Sequence, residues 1–95
     1  MNQTDFESTL RAEGYQETRE GAMAADRVNP EHTHDFDARV LVLDGEIAIA
    51  CGGVERTYRS GDMFAMAAGT PHAERCGPNG VRYFVGCRHP QGGER

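Results

Sequence analysis

Turn signals recur every few residues in the second half of this chain: Asp44-Gly45, Gly52-Gly53, Ser60-Gly61-Asp62, Gly69-Thr70-Pro71 and the stretch 77–80. Between them lie runs at 40–43, 47–51, 54–59, 63–67, 72–76 and 81–88. Such runs are long enough for strands and too short for ordinary helices. Asp-Gly and Gly-Gly supply the positive φ that tight hairpins need, so the runs are expected to fold back on one another. Upstream, 15–19 and 24–28 are extended candidates on either side of Glu20-Gly21. This punctuation predicts an all-β antiparallel sandwich or barrel over residues 15–88.

One short N-terminal helix is expected at residues 4–14. Thr4 and Glu7 have capping-box spacing, Phe6 and Leu10 share a face, and Gly14 is a natural stop. The polar, glycine-containing residues 89–95 read as a mobile tail. The 95 residues make one domain, 1–95. A chain this small buries only about 60–65% of its unfolded surface, so a bound metal or a partner subunit is expected to add stability.

Charge excludes several functions. Fifteen acidic side chains face ten basic ones, for a net charge of −5, which argues against a nucleic-acid partner. All the basic residues are Arg, and without Lys neither Schiff-base chemistry nor a P-loop is available. No apolar run approaches the roughly 20 residues that cross a bilayer, so no membrane partner is expected. The start, MNQTDFESTL, lacks the basic and apolar regions of a signal peptide, and the expected location is cytoplasmic. Three cysteines suit free thiols better than a disulfide framework.

His32-Thr33-His34 is the sharpest local feature. In an extended segment alternate side chains share a face, about 6–7 Å apart, so these two imidazoles can close on one divalent ion. The pair opens the stretch HTHDFDARVLVLDGE, and a third histidine lies in the later stretch GDMFAMAAGTPHAERCG. Together the two stretches resemble the cupin superfamily, whose motifs are G-x5-H-x-H-x3,4-E-x6-G and G-x5-P-x-G-x2-H-x3-N. His32, His34 and Gly45 match the first motif, and Gly61, Gly69 and His72 match the second. The resemblance covers roughly residues 25–88. It implies a double-stranded β-helix (jelly-roll) barrel with a metal site inside, ligated by His32, His34 and His72.

The chain departs from the pattern at several places. Asp26 stands for the opening glycine, and Ala38 or Arg39 for the glutamate. Ala67 stands for the proline, and Cys76 for the asparagine. Candidates to replace the missing carboxylate are Asp37 and, directly beside His34, Asp35, both of which need a bulge to face inward. Glu74 and Cys76 share parity with His72 and would face the interior of a regular strand. The favoured site remains three histidines plus water or substrate.

Val81, Phe64, Tyr83, Phe84 and 40–43 read as wall and core; Tyr58 and Met66 are within reach of the cavity, with core packing the favoured role. Cys51 and Cys87 read as inert thiols, and His89 belongs to the tail. The expected cofactor is one divalent metal ion (Fe, Ni, Zn, Mn or Cu), since imidazole suits them all. Three neutral imidazoles leave the ion a Lewis acid with open positions for a small-molecule ligand or substrate. The superfamily that the chain resembles includes three-His dioxygenases, so a dioxygenase acting on a small oxygenated compound is one expectation. A noncatalytic small-molecule binder or structural barrel is the other. No helix-turn-helix fits beside the single helix. Family resemblance and small size predict a homodimer.

Overall fold

In a computed structural model, which describes residues 2–89, the chain opens with helix α1 (Gln3–Ala12). Its N-cap is Asn2, whose side chain accepts a hydrogen bond from the Asp5 N–H at 2.8 Å. The Thr4–Glu7 capping box therefore does not form; Asn2 reaches the orphan donors first, and Glu7 instead accepts from Gln3 Nε2 at 3.0 Å. The helix ends two residues before the expected Gly14. Its apolar pair behaves as the spacing predicts: Phe6 and Leu10 are fully buried against Tyr15, Leu41 and Phe84.

Six strands follow: β1 (Glu17–Met23), β2 (Val28–His32), β3 (Asp37–Cys51), β4 (Val54–Arg59), β5 (Met63–Met66) and β6 (His72–Arg88). Every pairing is antiparallel. The long strands β3 and β6 lie side by side, and each serves two layers. In the first layer, β6 from Val81 onward pairs with β1 and with the start of β3, which β5 flanks. In the second, β6 from His72 to Cys76 pairs with β2 and with the end of β3, which β4 flanks. The result is the all-β jelly-roll sandwich expected of residues 15–88. Helix α1 covers the outer face of the first layer through Leu41 and Phe84.

Three expected breaks are placed differently. Asp44-Gly45 is not a hairpin, and β3 passes straight through it. Gly45 spends its positive φ of 80° on a bulge, where a Cβ would fall 2.0 Å from the Gly80 carbonyl oxygen. The register shifts on both sides of this pair. Inward positions consequently change from even (Ala38, Val40, Val42) to odd (Ile47, Ile49). The stretch 77–80 is likewise no hairpin; Glu46 alone separates the β3 partners of Cys76 and Val81, so these residues bulge from β6. Glu20-Gly21 lies inside β1, and the chain turns instead at 24–27, where Asp26 takes φ 61°. The Gly52-Gly53, Ser60-Gly61-Asp62 and Gly69-Thr70-Pro71 turns fall where the sequence puts them. Of the tail expected at 89–95, His89 is exposed and the remainder lies outside the described residues.

Candidate metal centre

Between the layers lies a cavity of about 250 Å³, with apolar walls that include Val40, Ile47, Phe64 and Met66. The three histidines gather at it from two separate parts of the chain. His32 closes β2 and sits directly opposite His72, the first residue of β6, after a bulge in the β2 register. His34 follows two residues later in the link to β3. Ring centroids are 4.4 Å apart for His32–His72, 4.8 Å for His32–His34 and 5.2 Å for His34–His72. One nitrogen from each ring lies within 4.8 Å of the other two.

Backbone carbonyls set the tautomers of two rings. His32 Nδ1 is 2.8 Å from the Pro30 carbonyl, and His72 Nδ1 is 3.0 Å from that of Thr70. A carbonyl only accepts, so each Nδ1 carries a proton, and in the neutral ring this puts the lone pair on Nε2, the arrangement a metal-binding imidazole needs. His72 is only 3% exposed. His34 stacks on Phe36, with centroids 4.8 Å apart and planes at 26°. Burial, then the neighbouring His32 and His72, hold its pKa below the ordinary histidine value, while Glu74 and Asp35 pull the other way. Neutral imidazole is thus the favoured form, as ligation requires. The next loop locks this segment: Gly69 N–H donates to the His34 carbonyl at 2.8 Å, and Ala68 N–H donates to Asp37 Oδ1 at 2.9 Å.

The residues weighed for a fourth ligand separate clearly. Asp37 is a brace, bound to Ala68 N–H and, at 3.1 Å, to the Arg88 guanidinium. Asp35 is exposed. Cys76 is buried among Val42, Ile47, Ile49 and Val81, with its thiol 3.6 Å from the Met23 carbonyl. Burial pushes its pKa up, so it stays a thiol and packs as a small apolar side chain. Glu74 does reach the cavity: Oε2 lies 3.5 Å from His72 Nε2, and Oε1 accepts from Asn29 Nδ2 at 2.8 Å. It stands beside the three-histidine cluster rather than within it. Ala38 lines the cavity with a methyl group.

Sequence reasoning missed the cavity roles of Asn29, Arg19 and Tyr83. Asn29 stands three residues before His32, and its sequence carried no signal. Tyr83 was legible as an inward position from its parity with Val81 and Val85, but not as a cavity residue.

The family model described as a cupin domain matches residues 20–82. Among proteins of curated function, no sequence relative is found. Several solved structures share the fold. A conserved protein of unknown function from Streptococcus pyogenes is 20% identical with a TM-score of 0.68, over 77% of this chain and 63% of that one. The chain thus spans less than two thirds of that protein's length. The DMSP lyase DddQ from Ruegeria pomeroyi is 26% identical with a TM-score of 0.68, over 75% of this chain and 36% of the lyase. KdgF from Halomonas sp. is 18% identical with a TM-score of 0.64, over 79% of this chain and 70% of that one.

Proposed function

Because this chain belongs to the cupin family, we propose that it is a metal-dependent enzyme acting on a small oxygenated molecule. In this reading His32, His34 and His72 hold one divalent ion. Its chemistry is that of a dioxygenase when the ion is iron. The observation that carries the reading is the convergence of three imidazole nitrogens within 4.8 Å of one another at the cavity between the layers. A bound divalent ion supplies Lewis acidity and, as Fe(II), a place for dioxygen beside the substrate. The chain's own residues do the rest. The Pro30 and Thr70 carbonyls aim two rings inward, and Phe36, Phe64 and Met66 thin out water around them. Glu74, steadied by Asn29, is placed to accept a hydrogen bond from a hydroxyl of the bound molecule. A named lyase on the same fold supports the enzymatic half of the reading. The working form we propose is a cytoplasmic homodimer.

Elemental analysis of protein purified without an affinity tag tests the site. About one Fe, Ni, Zn, Mn or Cu per chain is expected, and His32→Ala or His72→Ala should remove most of it. A metal-free wild-type protein that also refuses added ions sinks the proposal. Anaerobic loading with Fe(II), followed by oxygen uptake across diketones, diols and keto acids, tests the chemistry. No uptake from metal-loaded protein would overturn the dioxygenase and leave a binder, which ligand-induced thermal shifts would then report.

A further inference from the structure

Two polar groups in the cavity have no hydrogen-bond or ion-pair partner among the described residues, and they stand on the layer facing the histidines. Strand β1 sends Arg19 and Met23 to the cavity and leaves Gly21 between them. Arg19 is exposed, so it occupies the mouth rather than the floor. Arg39, Arg59, Arg75, Arg82 and Arg88 each pair with a carboxylate. Among the described residues Arg19 has neither an ion pair nor a hydrogen bond, and it is the one cationic side chain that lines this cavity.

Tyr83 is the second group. Gly21 pairs with Tyr83 and Arg19 with Val85, which makes Arg19 and Tyr83 diagonal neighbours on one face. The tyrosine ring lies on the bare backbone of Gly21. A Cβ there would stand 2.5 Å from Cζ and 2.6 Å from Oη, so only glycine lets the phenol lie down. The ring is thereby carried over β1, and its hydroxyl makes no hydrogen bond among the described residues. A guanidinium and a phenol O–H lining one cavity, neither with a partner among the described residues, form a donor pair suited to a carboxylate.

Charge and size narrow the ligand further. Among the described residues Glu74 is the only carboxylate lining the cavity, and a divalent ion together with Arg19 outweighs it. The cavity then favours an anion, although the chain as a whole carries −5. Its volume of about 250 Å³ lies below the range of roughly 300–1,000 Å³ typical of drug-sized sites, so the anion is small.

We propose that the cavity takes a small hydroxy or oxo acid, with its carboxylate held by Arg19 and the Tyr83 hydroxyl and its remaining oxygen turned towards the three imidazoles. Arg19 and Tyr83 are specificity-determining residues in this scheme, which rests on the metal reading above for the second half of the pose.

The test compares L-lactate with its neutral analogue lactamide, titrated into wild-type protein, Arg19→Gln, Arg19→Lys and Tyr83→Phe by calorimetry or ligand-observed NMR. Metal content is measured on the same samples. Lactate should bind wild type more tightly than lactamide. Its affinity should fall roughly tenfold in Arg19→Gln and several-fold in Tyr83→Phe, with Arg19→Lys in between; lactamide should be indifferent to all three. Equal binding of the two probes, no binding of lactate, or lactate binding insensitive to Arg19 overturns the inference. A metal-free protein that still binds lactate through Arg19 overturns the metal reading alone, so the two failures are distinct. Arg19 is exposed and Tyr83→Phe keeps the ring over Gly21, so all three variants keep the packing intact.

Discussion

Asp37 is three residues from His34, yet its carboxylate serves the scaffold. Its pKa is held below the ordinary carboxylate value first by the Ala68 N–H and then by Arg88. A carboxyl whose pKa is lower folded than unfolded adds stability that is complete above its unfolded pKa, about 4, and lost as pH falls through the folded value. Asp37→Asn should therefore cost about 1 kcal/mol at neutral pH, kept low because Arg88 is 42% exposed and solvent screens the pair. The gap from wild type should close as both proteins are taken below about pH 4. Urea midpoints at the two pH values check this, and a gap that stays constant with pH would show that the charge is irrelevant. Neighbouring positions were legible for a simple reason. His32 and His34 are alternate residues of extended chain, and alternation alone puts them on one face. Asp37 lies beyond a bend, where alternation no longer says which way a side chain points.

At the scale of the element, β3 depends on Gly45. An added Cβ would meet the Gly80 backbone at 2.0 Å, in a conformation of φ 80° that side chains resist. Gly45→Ala should destabilise the fold by roughly 2–4 kcal/mol. Gly52→Ala, at φ 61° with nothing within 4 Å, should cost only about 1 kcal/mol. Denaturant unfolding of the two variants compares them directly, and equal costs would mean that the Gly80 contact yields easily. The same residue explains what the sequence left open. A glycine at positive φ serves a hairpin or a bulge equally well, so Asp44-Gly45 read as an end when it is a bend. Gly21 misleads in the opposite way: it is glycine for the room that Tyr83 needs, not for a turn. Periodicity found the strands, but only the partner strand tells which kind of glycine each one is.

For the whole molecule, exposed apolar side chains mark the strand rims. Val28 is 59% exposed on β2, Val54 55% on β4 and Met63 39% on β5. Open rims with unpaired backbone invite another chain, which is the physical case for the homodimer we propose. Sedimentation equilibrium should give about 21 kDa, twice the 10.4 kDa of one chain, and a single-chain mass at micromolar concentration would refute it. The way β3 and β6 pass through both layers has its own consequence for traffic. Two long strands, each bulged but continuous, stitch the halves together, which opposes any gaping of the sandwich like a shell. Arg19 is the exposed residue of the cavity lining, so a solute is expected to enter beside it, and a compound anchored to a bulky carrier should be stopped there however well its tip suited the interior.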